Sequence, residues 1–208
     1  MEAISVESLI TEGLDYFGIP YAPATVQKLS FYMHELMRWN TRVNLTAKRP
    51  VESIVLEFLY DAFFLHSMIR GTPSALDMGS GSGILAIPLA ILDEAIQVFS
   101  VDSTLKKIQF QRHVKRGLKL NNLSLIHGRI EILEPLNVDA LLAKAFGPTR
   151  LTLQKGGRHL KQMGTAYLLK GRTEREGTCP GFSLEHAIQY RLPNNPKEYQ
   201  LFVYKKVL

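Results

Sequence analysis

Three closely spaced glycines follow an acidic residue in the run ALDMGSGSGI at residues 75–84. Glycine lets a backbone turn tightly and approach a ligand with no Cβ in the way. An apolar run precedes the loop, and a helical run at residues 85–92 follows it. This order of strand, glycine loop and helix is typical of a nucleotide-type cofactor site, so we expect Gly79, Gly81 and Gly83 to lie against such a cofactor.

The acidic residue, Asp77, indicates which cofactor is favoured. Loops that cradle a pyrophosphate usually have the spacing G-x-G-x-x-G, whereas here a glycine occurs at every second residue. A carboxylate at position 77 would repel a pyrophosphate. It can accept hydrogen bonds from the ammonium group of an amino acid, directly or through water. The loop therefore favours S-adenosylmethionine over a dinucleotide.

A second carboxylate, Asp102, ends an apolar run 25 residues after Asp77. A carboxylate at the end of the second strand is placed to accept hydrogen bonds from both ribose hydroxyls. The third strand is expected to end near His127, and the loop after it would lie beside the adenine. Backbone groups of Ile130 and Glu131 are placed there to read the edge of the base.

The elements that position these residues are predicted by apolar runs that alternate with helical stretches after a turn-rich break at residues 71–74. Such alternation predicts an α/β fold with a mostly parallel sheet. Two last runs flank the turn PNNP at residues 193–196 and are expected to form an antiparallel pair at the sheet edge. The seven expected strands lie at residues 75–78, 96–101, 123–127, 138–143, 166–169, 184–192 and 199–207.

Residues 1–70 are expected to form a helical subdomain, and residues 71–208 the core with the sheet. One apolar stripe with helical spacing runs from Pro23 to about Thr46, and a second follows Pro50. Between them lies WNTRVNLT at residues 39–46, which is rich in side chains that form hydrogen bonds.

Composition and charge narrow the class of protein. The chain has one cysteine among 208 residues, so no internal disulfide can form, and its six histidines are too scattered to predict a metal site. The N-terminal sequence is not typical of a signal peptide, and no apolar run approaches the ~20 residues of a membrane span. We expect a cytoplasmic monomer.

The net charge of +6 is concentrated near the C-terminus, where residues 151–208 hold 10 basic and 4 acidic groups. A positive surface suits an anionic polymer such as RNA, because contacts to phosphates supply affinity for any sequence. A basic surface that only contacts solvent is the alternative.

Several of these motifs together resemble the bacterial guanine-N7 methyltransferases of small-subunit ribosomal RNA, the glucose-inhibited division protein B family. The matching pieces are residues 39–47, 76–83, 87–90, 101–107, 128–131, 143–145 and 168–171. The resemblance implies a class I S-adenosylmethionine-dependent methyltransferase fold, which is Rossmann-like, with an N-terminal helical cap. It also implies that 16S rRNA or the small ribosomal subunit is the partner.

Carried over residue by residue, the resemblance implies roles for particular side chains. Cofactor contacts would come from Gly79, Ile84, Asp102, Ser103, Thr104, Ile130 and Glu131. A basic residue at position 144 would lie close to the methyl donor or to the RNA. The chain departs from the family there, because Lys144 stands where arginine is usual, and lysine lacks the planar two-point fork. It also has Leu85-Ala86 in place of Pro-Gly, and Glu57 in place of a histidine.

Methyl transfer to guanine N7 needs no general base, because N7 carries a lone pair and no proton. Catalysis then depends on positioning and electrostatics. We expect Lys144 and Arg129 to act at the reacting groups, and Lys170 and Arg172 to contact RNA, because all four lie at or just after strand ends. The basic face of the helix at residues 104–120 (Arg112, Lys115, Arg116 and Lys119) either contacts RNA or is only solvated.

Other functions stay open at this point. Methylation of cytosine C5 in RNA needs a cysteine nucleophile, and Cys179 follows the fifth strand. Methylation of adenine N6 is disfavoured, because Phe146-Gly147-Pro148 stands where that reaction's Asp/Asn-Pro-Pro-aromatic signature would be. An NAD-dependent oxidoreductase of the Rossmann type is disfavoured by the glycine spacing and Asp77. An RNA-binding module that has lost catalysis is the remaining alternative.

Overall fold

A computed structural model describes residues 5–47 and 50–207 of the chain. The N-terminal sequence was expected not to be a signal peptide, and its residues 1–4 lie outside the described residues. The elements are α1 (Val6–Tyr16), α2 (Pro23–Asn40), α3 (Val51–Ile54), a π-helical turn (Val55–Leu59), α4 (Tyr60–Met68), β1 (Ser74–Met78), α5 (Ala86–Leu92), β2 (Gln97–Asp102), α6 (Leu105–Leu118), β3 (Leu123–His127), a 3₁₀ turn (Ile130–Ile132), β4 (Val138–Lys144), α7 (Thr149–Gly156), a second 3₁₀ turn (Gly157–His159), β5 (Leu160–Gly171), β6 (Phe182–Arg191) and β7 (Glu198–Lys206).

The described strands form a seven-stranded sheet in the order β3-β2-β1-β4-β5-β7-β6. Strands β1 to β5 are parallel, whereas β7 runs antiparallel between β5 and β6. The predicted α/β class and the antiparallel pair at the edge are therefore confirmed. The strand β5 begins at Leu160, six residues before the predicted start, because exposed residues at 161–163 interrupt the apolar pattern.

The N-terminal helices follow the predicted pattern at the start of α2 but differ from it at the end of α2 and after Pro50. Pro23 starts α2, since a proline at the first helical position loses no hydrogen bond. The helix ends at Asn40, so Val43 lies outside it, although the apolar stripe predicted a helix to about Thr46. After Pro50 the predicted continuous helix is interrupted by the π-helical turn, which shifts the buried face and leaves Phe58 and Leu59 both inside the core.

Two buried clusters cover the two faces of the sheet. One cluster contains Ile10 and Leu29 of the N-terminal helices together with Phe110 of α6 and Leu142 of β4. Burying each such side chain stabilises the fold by roughly 1.5–3 kcal/mol. The other cluster packs α7 on the opposite face. The division at residue 70 separates the helices from the sheet, but a separate subdomain stays a prediction, because one cluster spans both parts.

No helix among the described residues is both long and apolar enough to span a bilayer.

Candidate active site

The glycine loop leaves the end of β1 and is tied to the neighbouring strand. The amides of Gly79 and Ser80 both donate to the carbonyl of Val101, at 2.9 and 3.0 Å. Gly79 has a φ of +69°, which side chains rarely adopt. A Cβ on Gly79 would also lie 2.5 Å from Cδ2 of Phe146, so the position requires glycine.

Asp77 lies beneath this loop and is only 2% exposed. Its Oδ2 accepts a hydrogen bond of 3.1 Å from the amide of Ala86, which fastens β1 to the start of α5. Burial raises the pKa of Asp77 to about 7, and the negative charge of Asp102 adds to this, while the Ala86 hydrogen bond opposes it. The carboxylate does not line the neighbouring crevice. A contact from it to a cofactor ammonium, direct or through water, therefore stays a prediction.

Asp102 orders the loops on both sides of β2. Its Oδ2 accepts from the amide of Gly81 at 2.9 Å, and its Oδ1 accepts from the amide of Thr104 at 2.7 Å. A carboxylate oxygen can accept two hydrogen bonds, so each oxygen keeps acceptor capacity for a ligand hydroxyl. Asp102 is 7% exposed, and that part of it faces a crevice.

This crevice, which we call the cofactor crevice, has a volume of about 420 Å³ and lies at the carboxyl ends of the parallel strands. It brings together seven of the predicted site residues. Gly81, Gly83, Ile84 and Lys144 are not among its lining residues; the two glycines shape the loop behind it. Its lining residues are Gly79, Val101, Asp102, Ser103, Thr104, Lys107, Gly128, Arg129, Ile130, Glu131, Ala145, Phe146 and Lys155.

The carbonyl oxygens of Ile130 and Glu131 each have one hydrogen-bonding partner within the protein. His159 Nε2 lies 3.0 Å from the Ile130 oxygen, and Arg158 donates to the Glu131 oxygen at 3.0 Å. Each carbonyl oxygen keeps a second lone pair, so reading of a base edge by the amides or carbonyls of these two residues stays a prediction. The Glu131 carboxylate forms an ion pair with Lys155, and that pair lines the same wall.

A second cavity of about 380 Å³, the lysine cavity, adjoins the crevice and shares Ala145 with it. It contains two of the predicted basic residues, Lys144 and Lys170. Arg172 does not line it and instead lies exposed, with its Nε 3.1 Å from Glu198. The lining residues are Asp61, Lys144, Ala145, Gly147, Pro148, Leu169, Lys170, Gly171, Thr173, Glu174, Tyr190 and Tyr199.

Lys144 is held from the N-terminal helices. Its Nζ lies 2.6 Å from Oδ2 of Asp61, donates to the Glu57 carbonyl at 3.3 Å and sits 4.7 Å from the centre of the Phe58 ring. Tyr190 of β6 donates to the other oxygen of Asp61 at 2.7 Å. Sequence reasoning did not assign roles to Asp61 and Tyr190; the run Phe58–Asp61 was the available signal for the first.

Lys170 is nearly buried, and its ammonium donates to the carbonyl of Gly147. Burial lowers the pKa of this lysine. A buried ammonium keeps its charge only if acceptors surround it. An ammonium has three donors, and the bond to Gly147 uses one of them, so the side chain has unused donor capacity next to the cavity.

The residues of the cofactor crevice fit S-adenosylmethionine. Asp102 offers acceptors for a ribose diol, Ile130 gives an apolar wall, and Gly79 leaves room where a Cβ would not fit. Lys107, Arg129 and Lys155 also line the crevice beside the carboxylates of Asp102 and Glu131, so the charge of the lining alone does not separate this cofactor from a dinucleotide.

Comparisons with solved structures show the same fold. TrmN from Thermus thermophilus superposes with a TM-score of 0.56 at 21% identity, over 77% of this chain and 55% of that one. TYW2 of M. jannaschii, solved in complex with AdoMet, gives a TM-score of 0.56 at 18% identity, over 72% of this chain and 74% of that one. Together with the sheet order, these confirm the predicted methyltransferase fold.

Sequence relatives named ribosomal RNA small subunit methyltransferase G cover most of the chain. The Geotalea uraniireducens protein is 30% identical over 98% of each chain, and the Geobacter protein is 32% identical over 83% of this chain and 81% of its own. The Pseudomonas syringae protein is 36% identical over 78% of this chain and 76% of its own. Residues 25–181 match the sequence model of the GidB family, rRNA small subunit methyltransferase G. The chain belongs to this family.

Proposed function

We propose that the chain transfers a methyl group from S-adenosylmethionine to N7 of a guanine in 16S rRNA. The observation that carries the proposal is the meeting of two cavities at Ala145, at the carboxyl edge of the sheet. One cavity is lined by the glycine loop and Asp102, and the other by two lysines. Membership of the GidB family supports both the cofactor and the rRNA substrate.

The cofactor, when bound, supplies an electrophilic methyl group on a sulfonium. The chain's own residues would hold it: Asp102 would accept hydrogen bonds from the ribose hydroxyls, and Ile130 would form an apolar wall beside the adenine. Gly79, where the loop lines the crevice, would leave room for the amino-acid part. Asp77 fastens this loop to α5, so its geometry is set before binding.

The acceptor guanine enters the lysine cavity. A base inside a duplex cannot reach it, so the target is unpaired or flipped out. The Lys144 ammonium, or that of Lys170, donates to guanine O6, which lies beside N7 on the base. This contact turns the N7 lone pair toward the crevice, while the ring of Tyr199 packs against the base. No proton has to be removed, so these residues orient the base rather than titrate.

Arg129 lines the cofactor crevice and contacts a phosphate or base at its entrance. Arg172 lies on the exposed rim, where its charge contacts the RNA backbone. These contacts supply affinity without reading sequence.

The test is labelled methyl transfer to 16S rRNA and to small ribosomal subunits from a strain that lacks this protein. We expect 7-methylguanosine in one of the two substrates. Cofactor binding without any labelled RNA would favour an RNA-binding module that has lost catalysis. Label on cytosine C5 or adenine N6 would contradict the proposed acceptor.

A titration with NAD and with S-adenosylmethionine separates the enzyme classes, because only the latter is expected to bind. The proposed substrate also makes the small subunit or its rRNA the partner and the cytoplasm the location. A monomer is expected, which sedimentation of the full chain measures.

A further inference from the structure

We infer that the surface around Trp39 is a second RNA site, which holds an unpaired nucleotide of the substrate outside the cofactor crevice. This inference rests on the proposed function, in which RNA is the substrate. A cavity of about 330 Å³ lies between the end of α2, the loop after it and α6. We call it the tryptophan pocket. Its lining residues are Arg38, Trp39, Arg42, Val43 and His113.

The pocket is built by the residue that ends α2. Oδ1 of Asn40 accepts hydrogen bonds from the amides of Leu45 and Thr46, at 2.9 and 3.0 Å. Leu45 is buried, so the loop bends back onto the helix. Arg42 and Val43 are thereby held beside Trp39. The motif at residues 39–46 thus has a structural role outside the cofactor crevice.

The Trp39 ring is held in place but not enclosed. It packs edge-on against Phe110 at 5.6 Å between ring centres and lies 5.2 Å from the ring of His113. The residue is only partly buried, and it lines the pocket. A fixed and accessible aromatic ring is the usual platform on which proteins stack an unpaired base.

The charges around this ring suit a phosphate backbone. Arg38 and Arg42 are exposed at the pocket, and the neighbouring α6 contains no Asp or Glu. The nearby carboxylate, Glu35, is only 13% exposed and is paired with Arg38 at 2.5 Å and His113 at 2.6 Å. The surface therefore presents guanidinium groups next to an aromatic ring, a combination that binds single-stranded nucleic acid.

The pocket lies close enough to the cofactor crevice for one RNA to occupy both. Lys107 of α6 lines the crevice, and His113 of the same helix lines the pocket. They are six positions apart, which is about 9 Å of helical rise and about 120° around the helix axis. A strand that enters the crevice can therefore reach Trp39 by crossing α6.

Trp39 is the chain's one tryptophan, so its fluorescence reports on this pocket directly. We expect a short single-stranded RNA to quench the emission with saturation, and Arg42→Glu to weaken the apparent affinity by about tenfold. Lys161→Glu is the matched control: it makes the same charge reversal at the amino end of β5, where Lys161 pairs with Asp139 at 2.9 Å, and should change neither value.

Kinetics supply the second measurement. Trp39→Leu and Arg42→Glu should each raise KM for rRNA about fivefold or more, with kcat and cofactor affinity unchanged. Saturating RNA binding with no change in Trp39 emission, or an unchanged KM in Arg42→Glu, would overturn the inference. So would quenching by an acidic peptide and not by RNA. If the wild type binds RNA but methylates none, the proposed function fails. The fluorescence titration then still shows whether the tryptophan pocket binds RNA.

Discussion

The ammonium of Lys144 at the end of β4 lies 2.6 Å from the carboxylate of Asp61 in α4, 83 residues earlier in the chain. Tyr190 donates to the same carboxylate from β6. Side chains from the N-terminal helices, the centre of the sheet and its edge therefore meet at one side of the lysine cavity. The N-terminal helices contribute to the lysine cavity as well as to the core.

Replacing Lys144 by Met should affect stability and methyl transfer together. Asp61 is only 1% exposed at its side chain, and the ammonium of Lys144 is the charged partner of its Oδ2. Without the lysine, its charge is buried and unpaired, so we expect the free energy of unfolding to fall by about 3 kcal/mol. Denaturation with urea measures this.

The same variant separates acceptor from cofactor binding. We expect the rate of methyl transfer to fall on the order of 100-fold, and the Kd for S-adenosylmethionine to change less than about twofold. Asp61→Asn is the matched control for stability, because it keeps an acceptor for Tyr190 and leaves only a partly solvated ammonium unpaired. The free energy of unfolding should therefore fall less in this variant. Equal loss of both functions in Lys144→Met would place this side chain in the cofactor crevice instead.

Gly79→Ala should weaken cofactor binding strongly while the chain stays folded. The added Cβ would lie 2.5 Å from the Phe146 ring, and since both residues line the cofactor crevice, the shift that relieves this contact changes its wall. Gly81→Ala is the comparison, because its φ of +60° imposes similar backbone strain but its Cβ would meet nothing within 4 Å. Calorimetric titration should give a much larger Kd for the first variant, and similar values for the two would mean that backbone strain alone matters.

Asp77→Asn should stabilise the fold at pH 8. Burial raises the pKa of Asp77 to about 7, so the folded state holds this proton more tightly than the unfolded state does. The contribution of Asp77 to stability therefore falls as the pH rises from about 4 to about 7. Removing the charge should raise Tm at pH 8 and leave it nearly unchanged at pH 4. An equal shift at both pH values would show that ionisation is not the cause.

The affinity for S-adenosylmethionine should depend on the same proton. If the ionised carboxylate of Asp77 attracts the ammonium of the cofactor, protonation competes with binding below pH 7. We expect the Kd to be about tenfold larger at pH 6 than at pH 8. In Asp77→Asn the Kd should be larger at pH 8 and less dependent on pH. A wild-type profile that the substitution leaves unchanged would remove Asp77 from cofactor binding.

The cofactor crevice could be predicted from the sequence because its parts follow one another along the chain. A strand, a glycine bend and a helix are set by local backbone preferences, and Asp102 ends the next strand. The ion pair of Lys144 could not be predicted in this way. Its partner Asp61 lies 83 residues earlier, and Tyr190, which donates to Asp61, lies 129 residues after Asp61, so the three meet only through the tertiary fold.

The start of β5 and the π-helical turn were missed for a different reason. Exposed polar residues interrupt the apolar pattern of β5, and pairing with β4 maintains the strand in spite of them. The π-helical turn is apolar on several sides, so its sequence fits a regular helix equally well. Periodicity measures burial, and it does not record which hydrogen bonds the backbone makes.

Cys179→Ser should leave methyl transfer unchanged. A cysteine nucleophile must reach the substrate as a thiolate, whereas burial raises the pKa of the Cys179 thiol and so disfavours that form. The residue packs with the cluster on the α7 face and lines neither the cofactor crevice nor the lysine cavity. Serine keeps the size of the side chain at a modest cost in stability. Retained kcat with rRNA is expected, and an inactive variant that still binds S-adenosylmethionine would support methylation of cytosine C5 instead.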